Sequence, residues 1–427
     1  FGSLITSVRE GGSSIADIAE HVISRRAKIL FSLFVWLALI LVIAVFAYLC
    51  ADTFVKEPKI VLPSLGLIPV AMGVGYLLYY LRINTALSTV LGLVMLVGLI
   101  FLGIFFPINS NIKIWILVLF IYCYFASVLP VNILLQPRDY LSSFLLFFGV
   151  GAGYAGLLLS RPVINMPFYH KWNTSEGYLW PAMFVTIACG AVSGFHSLIA
   201  SGTSSKQIAN ERQAKRIGYG GMVAEGVVAV LAIICTAILF TGKQDFPAVL
   251  KNTGPIEIFG KGYGLITQGV LGGYGGFIAI TILNAFILTT LDTATRISRY
   301  LTEELFGIKN RYLSTILVVV LSAALAFSGK WSKIWPAFGA SNQLVAALAL
   351  FVLSCWLLSK NKTMRFTLAP AFFMLITTLF ALLFQAIRFF INKDIVLFAV
   401  DISLILLAGF MVKEIAQVML IRRRKNA

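Results

Sequence analysis

Long runs of apolar side chains constrain the fold of this chain more than any other feature. A run of roughly 20 apolar residues can cross the hydrocarbon core of a bilayer as an α-helix. Of the 427 residues, 59% are hydrophobic and 12% are charged, whereas soluble domains have roughly 25% charged residues. A soluble globular fold is therefore excluded, and we predict an all-α, polytopic bundle of about twelve transmembrane helices. The predicted spans are 28–50, 60–81, 85–106, 112–136, 139–160, 179–201, 217–241, 264–291, 312–328, 336–358, 366–387 and 395–420.

The distribution of basic residues predicts the orientation. With a cytoplasmic N-terminus, 21 of the 34 Lys and Arg residues lie on the cytoplasmic side, 12 lie outside, and Lys413 is in the last span. This is the positive-inside pattern, so both termini are predicted to face the cytoplasm. The formal charge of +17 is then explained by orientation and by contact with anionic membrane lipid, not by nucleic acid.

Three parts follow from this topology. They are a cytoplasmic amphipathic segment at 1–27, a transmembrane domain at 28–420, and a basic cytoplasmic tail at 421–427. We predict that the first segment forms either an interfacial helix or a solvated loop helix, capped by Ser13 or Ser14. The apolar residues at helical spacing are Ile15, Ile18, Ala19 and Val22.

One span contains an unusual number of small and hydroxyl side chains. Residues 186–204 read TIACGAVSGFHSLIASGTS. Irregular backbone at membrane depth persists only where it lines a cavity enclosed by protein. We therefore predict that this helix unwinds near 193–196 and directs a half-helix N-terminus at an anionic or carbonyl group of a substrate. The substrate-binding candidates here are Ser193, Gly194, His196, Ser201, Gly202 and Thr203.

Titratable side chains inside spans are candidates for proton coupling. Glu225 lies at least two turns inside an apolar segment, where a carboxylate must be protonated, paired or wetted. We rank Glu225 first, His196 second and Asp292 third. Each has a structural alternative, since Glu225 and His196 can be hydrogen-bonded between helices, and Asp292 can pair with Arg296 one turn later.

Two asparagines complete the predicted substrate site. Asn284 follows a glycine-rich entry to its span, and Asn342 belongs to the stretch WPAFGASNQ, which is predicted to open a helix at Pro336. Helix N-capping alone would explain some of the amide and hydroxyl side chains in the WPAFGASNQ stretch. The other isolated acids are expected to be solvated in loops or at span ends; they are Asp52, Glu57, Asp139, Asp394 and Asp401.

The cysteines give no sign of a metal or redox site. They occur singly at the apolar spans, without a CxxC motif or a neighbouring His, which argues against a disulfide framework or zinc. We predict no cofactor, no metal and no catalytic residue. The cysteines are Cys50, Cys123, Cys189, Cys235 and Cys355.

Four stretches carry a resemblance to a known family. They are TIACGAVSGFHSLIASGTSSKQ at 186–207, IGYGGMVAEG at 217–226, LTTLDTATRISRYLTEEL at 288–305 and WPAFGASNQLVAALAL at 335–350. In them the chain resembles the carbon starvation protein A family of peptide and pyruvate transporters, from its opening SVREGGSSIADIAE onwards. The resemblance implies a proton symporter related to the amino-acid/polyamine/organocation group, with inverted repeats and discontinuous helices.

The family resemblance also implies helices that this sequence does not show. Family members begin with additional transmembrane helices that carry a His-His and then a Gly-Ala-Gly-Pro segment, and nothing here matches them. An inverted-repeat site needs both of its discontinuous helices. We therefore expect this chain to be a truncated or shortened form in which only one of the two is clearly present.

The function predicted from these features is secondary active transport. The substrate would be a short peptide or pyruvate, imported with protons across the cytoplasmic membrane under carbon or nutrient starvation. The residues do not choose between the two solutes, because glycine backbone and hydroxyls suit either carboxylate. Two alternatives are a membrane-embedded starvation sensor and an intramembrane enzyme that uses His196 with a nearby serine.

Overall fold

The computed structural model describes residues 1–426 except 165, 170, 175–176, 191, 241–248 and 250–252. Nine helical stretches of this part are long and apolar enough to cross a membrane. Two shorter apolar helices and one broken helical stretch account for the remaining predicted spans. The all-α membrane bundle of about twelve helices is therefore confirmed.

The helices are numbered in chain order. They are α1 (Gly2–Arg9), α2 (Ile15–Val22), α3 (Arg25–Lys56), α4 (Val61–Tyr79), α5 (Thr85–Phe105), α6 (Ile112–Val128), α7 (Leu135–Ser160), α8 (Phe184–Ile187), α9 (Gly194–Gly202), α10 (Gln213–Ile238), α11 (Pro255–Ile266), α12 (Gln268–Leu271), α13 (Gly275–Phe306), α14 (Arg311–Phe327), α15 (Trp331–Ser359), α16 (Arg365–Ile391) and α17 (Ile395–Asn426). Two short antiparallel strands, Asn173–Thr174 and Gly177–Tyr178, form the β-hairpin of the described residues.

Helices α3 and α15 form the centre of the bundle. The most apolar 18-residue stretch of each of these two helices is largely buried. Helix α3 packs against α6, α13, α14, α15 and α17. A helix that is apolar around its whole circumference is typical of such an enclosed position. Side-chain caps define several helix starts, including Asn111 at α6 and Asn310 at α14.

The two N-terminal helices pack on the bundle. Ser14 caps α2 and forms a capping box with Asp17. The apolar face of α2 is buried against α3 and α15. The expected cap at Ser14 is confirmed, and the apolar residues at helical spacing contact the bundle.

Ion pairs connect residues that the predicted topology places on the same side. Lys28 Nζ lies 2.8 Å from a carboxylate oxygen of Asp17 and 2.9 Å from one of Glu304. Glu10 accepts a 2.7 Å hydrogen bond from the Trp356 indole and pairs with Lys360 at 3.2 Å. These contacts hold α1 and α2 against the ends of α3, α13 and α15.

Two of the acids expected to be solvated are buried instead. Asp394 bridges Lys330 and Lys333 at 2.7 and 2.6 Å, which covers its carboxylate. Asp401 is 0% exposed, and neither of its carboxylate oxygens has a hydrogen-bond partner in the described residues. The prediction for Asp401 is wrong because α17 begins at Ile395 and turns this side chain towards the core.

The C-terminal helix runs through the predicted basic tail as far as Asn426. The side chains of 421–427 lie outside the described residues, as does residue 241, the predicted end of the 217–241 span.

We expect acid to detach the N-terminal helices. The hydrogen bond from Trp356 and the contact with Lys360 lower the pKa of Glu10. Burial acts to raise the pKa of Asp17, but hydrogen bonds from Lys28 and Ser14 outweigh it and lower the pKa overall. Carboxylates with lowered folded pKa values stabilise the packed state above their unfolded values of about 3.9 to 4.3, and this contribution is lost as the pH falls through the folded values.

Hydrogen exchange of residues 1–22, corrected for the intrinsic rate at each pH, measures this detachment. Protection should be constant from pH 7 to about pH 5 and should fall below about pH 4. The apolar helix α14 serves as the internal reference. Constant protection at acid pH, or loss on the alkaline side, would contradict the assigned role of these carboxylates.

Candidate functional site

The predicted break in the helix is present. A π-helical turn (Leu179–Met183) leads into α8, and a 3₁₀ turn (Ala188–Gly190) follows. The chain then leaves helical geometry, with Ser193 extended at φ −112° and ψ 117°, before α9 begins at Gly194. Residue 191 lies outside the described residues. The sequence therefore located the discontinuity correctly.

A single side chain of α15 holds the two sides of this break. The Asn342 side-chain oxygen accepts a 2.8 Å hydrogen bond from the Phe195 backbone N–H. Its Nδ2 donates to the sulfur of Cys189 at 3.2 Å, on the other side of the break. A Cβ at Gly194 would overlap the Asn342 carbonyl oxygen. Asn342 thus joins both ends of the broken segment to α15.

These contacts change the interpretation of the α9 N-terminus. Phe195 N–H is taken by Asn342, and His196 N–H donates to the Ser193 hydroxyl at 3.2 Å. The amides that we expected to meet a substrate carboxylate therefore have protein partners. The prediction that α15 opens at Pro336 is wrong, since it begins at Trp331 and buries Asn342 in mid-helix. A substrate-binding role for Ser193, Gly194 and Asn342 remains a prediction.

The other end of α9 is tied to the N-terminal helices. Ser201 is buried, and its hydroxyl accepts a 3.3 Å hydrogen bond from the Ile15 N–H. Its backbone carbonyl accepts from the Ser7 hydroxyl at 3.0 Å. In addition, Ser3 and Ser197 share a 2.6 Å hydroxyl contact. Ser201 thus positions α9, while Gly202 and Thr203 remain partly exposed beside it.

The two leading proton-coupling candidates are in direct contact. His196 Nδ1 lies 3.1 Å from Glu225 Oε2, with the two side chains 49% and 38% exposed. Glu225 lies about 18 Å along α10 from its first residue, at a rise of about 1.5 Å per residue. An imidazole and a carboxylate facing lipid at this depth are costly. The surface between α9 and α10 is therefore suited to water or protein.

The face of α9 that carries His196 continues into a cavity. Ile199 and Thr203 follow His196 on this face, at three and seven residues' distance, and both line a cavity of about 590 Å³. Binding pockets for small molecules have volumes of roughly 300–1,000 Å³. Other elements contribute polar side chains to its wall: Tyr79, Thr85, Gln136, Asp139, Tyr140 and Thr293.

Asp292 belongs to a different cluster, which lies beside this cavity. It accepts a 2.6 Å hydrogen bond from the Tyr122 hydroxyl and forms an ion pair with Arg138. Arg296 instead donates to the carbonyls of Ala126 and Leu129 at the end of α6. The alternative pairing of Asp292 with Arg296 is therefore wrong.

Arg138 is the residue that sequence reasoning missed. The predicted spans leave it in a loop at 137–138, yet its side chain is 1% exposed and pairs with fully buried Asp292. The sequence contained one signal, because Arg138 is spaced at helical intervals between apolar Leu134 and Leu141, which are buried on the same helix face.

Asn284 lies away from α9. Its side chain is buried and donates a 3.1 Å hydrogen bond to the Ser64 hydroxyl, which joins α13 to α4. No group of three or more His, Cys, Asp or Glu side chains suited to a metal ion occurs among the described residues.

The chain resembles known proteins over most of its length. The family model "Carbon starvation protein CstA" matches residues 1–247 and 241–381. The chain is 28% identical to the "Peptide transporter CstA" of Campylobacter jejuni. The alignment covers 89% of this chain and 65% of that protein. It is 30% identical to the Escherichia coli "Peptide transporter CstA", over 89% of this chain and 66% of the relative.

A relative with a different substrate in its name is similarly close. The "Pyruvate/proton symporter BtsT" of Escherichia coli is 27% identical over 90% of this chain and 67% of the relative. The chain thus spans about two thirds of the length of these curated relatives.

Replacement of Asn342 by leucine, which has a similar volume, should destabilise the break. The Phe195 N–H would be left buried without a partner, which costs about 1–3 kcal/mol. Thermal unfolding in detergent can be followed through the reaction of the buried cysteines with a thiol-reactive fluorophore. We expect a lower Tm for N342L and an unchanged Tm for Ser403→Ala, whose exposed hydroxyl bonds only within α17. Equal Tm values for N342L and the parent would exclude the clamp.

Proposed function

Because the chain belongs to the carbon starvation protein CstA family, we propose that it is a secondary active transporter. Its solute is a small carboxylate, either a short peptide or pyruvate, and it enters with protons across the cytoplasmic membrane when nutrients are scarce. The names of the relatives support both solute classes. The observation that carries the proposal is the contact of His196 with Glu225 beside a broken helix.

The His196–Glu225 pair provides the proton site. A carboxylate and an imidazole in contact can share one proton, and exposure of both side chains lets that proton exchange with water. Since Glu225 is in α10 and His196 is in the short helix α9, a change in protonation alters the attraction between two separate elements. Proton binding can in this way bias their relative position.

The solute site lies beside α9. His196, Gly202 and Thr203 are accessible there, and the 590 Å³ cavity has room for either solute. Ser193, Gly194, Ser201 and Asn342 fix the position of α9 and can reach the solute only when their present contacts open. Alternating access then consists of rocking one helical bundle against another, so that α1 and α2 leave the end of α9.

The orientation that we propose places α1, α2 and both termini in the cytoplasm, with the basic loops facing anionic lipid. The ion pairs of Lys28 and Glu10 support it, because they join residues that the positive-inside pattern assigns to one side. Lys330 and Asp394 form a corresponding pair among residues assigned to the other side.

Glu225→Gln should abolish proton-driven accumulation but leave solute exchange. The amide retains the size and hydrogen bonding of the side chain but cannot titrate. Proteoliposomes containing the chain would be tested for uptake of labelled pyruvate and labelled alanyl-alanine, with and without an imposed pH gradient. We expect accumulation by E225Q to fall to the level seen without a gradient, while exchange of internal for external solute continues.

Glu257→Gln is the matched control. Glu257 is a partly exposed carboxylate in α11 that pairs within its own helix with Lys261, so its replacement should leave the gradient response intact. If E225Q accumulates solute like the parent, the coupling role is wrong. If the parent takes up neither solute, the proposed transport function is itself contradicted.

A further inference from the structure

The buried ion pair of Arg138 and Asp292 has a feature that a purely structural pair does not need. Arg138 is 1% exposed and Asp292 is 0% exposed, and both lie in membrane-spanning helices. Burial of two charges is unfavourable unless the remaining donors and acceptors are satisfied as well. Within the described residues, Nε and Nη2 of Arg138 and Oδ1 of Asp292 have no hydrogen-bond partner.

We propose that Arg138 binds the carboxylate of the transported solute, and that Asp292 occupies this position until it takes up a proton. The inference rests on the proposed transport function and identifies its anion-binding residue. The guanidinium group presents its N–H donors in a planar fork that matches a carboxylate in a bidentate arrangement. In Arg138 the adjacent Nε and Nη2 groups are both unused, whereas in Arg296 Nη2 already donates to the carbonyls of Ala126 and Leu129 and only Nε is unused.

The position of the pair connects it to the cavity. Gln136, Pro137 and Asp139, which flank Arg138 on α7, all line the 590 Å³ cavity, and so does Thr293, which follows Asp292 on α13. Arg138 is therefore one layer behind the cavity wall. Thr203, which follows α9, lines the same cavity, so a solute in the cavity contacts the neighbours of Arg138 and Asp292 in sequence as well as the end of α9.

Charge balance requires the proton. If a solute carboxylate replaced Asp292 at Arg138, two anions would share one buried cation, and Asp292 would keep only its hydrogen bond with Tyr122. Protonation of Asp292 removes the excess negative charge, so one proton is taken up from water for each carboxylate bound. The titratable and charged groups around Asp292 are Arg138 and Asp139 on α7, Tyr122 and Cys123 on α6, and Arg296 on α13.

This mechanism differs from the role of the His196–Glu225 pair. The exposed pair responds to the proton gradient during the transport cycle, whereas the buried pair makes solute binding itself dependent on pH. Equilibrium binding measurements without a gradient therefore isolate the second effect from the first.

The experiment measures binding of labelled pyruvate and of alanyl-alanine to the purified chain in lipid nanodiscs between pH 5.5 and 8. Proton uptake on addition of solute is recorded with an indicator dye in weak buffer. For the parent we expect affinity to fall by about tenfold per pH unit above the titration of Asp292, with one proton taken up per solute. Asp292→Asn should bind the carboxylate independently of pH and take up no proton.

Arginine variants test the anion site separately. The double variant Arg138→Gln/Asp292→Asn replaces the ion pair by two neutral amides of similar size and should fold. We expect it to bind alanyl-alanine about tenfold or more weakly than D292N does, and to lose the preference for alanyl-alanine over its C-terminal amide. Arg311→Gln, an exposed arginine that contacts only Tyr312, should behave like the parent.

Two results would overturn the inference while leaving transport intact. One is parent protein that accumulates solute in proteoliposomes but binds it with no proton uptake. The other is a double variant that folds and still prefers the carboxylate over the amide, because the pair would then be only structural. Absence of any uptake or binding by the parent would instead count against the proposed function.

Discussion

The structure depends on how its peptide groups are satisfied where a helix is interrupted inside the bilayer. Hydrocarbon offers no hydrogen-bond partner, so each amide that leaves a helix must find one within the protein. At this break Asn342 meets part of that requirement, because it binds the Phe195 amide, and it also contacts the Cys189 sulfur. Together with the contacts of Ser197 and Ser201 further along the helix, this clamp positions α9. His196 on α9 lies against Glu225.

Two titratable pairs, His196–Glu225 between α9 and α10 and Arg138–Asp292 between α7 and α13, differ in their exposure. His196 and Glu225 are partly exposed, whereas Arg138 and Asp292 are buried behind the cavity wall. An accessible pair suits the response to a gradient. A sealed pair with unused donors suits a position that a solute takes only when its present anion is neutralised. At the end of α9, the Ser201 carbonyl accepts a hydrogen bond from Ser7 of α1, and the Ser201 hydroxyl accepts one from the Ile15 N–H of α2.

The sequence predicted those features that depend on composition within one segment. Apolar length identified the spans, and the cluster of glycine and hydroxyl residues located the break. It also marked His196 and Glu225 individually, but their contact depends on how α9 and α10 pack, which no local pattern encodes.

Asn342 resembled a helix start because amide side chains often cap the helix to which they belong, whereas here Asn342 caps a different helix. Arg138 and Asp401 were missed for a common reason: a charge within two turns of a helix end usually reaches solvent, and these two turn inward.

Water access to the surface between α9 and α10 is the most direct test of the account. With Cys189 replaced by serine, Gly221→Cys places a thiol one turn from Glu225, at a position with open space around it. Val320→Cys, at a 57% exposed position of the apolar helix α14, is the reference. The account predicts that a membrane-impermeant thiosulfonate modifies G221C and spares V320C. If both thiols are spared, or if both react only with a lipid-soluble reagent, the α9–α10 surface faces lipid and the proton site described here does not exist.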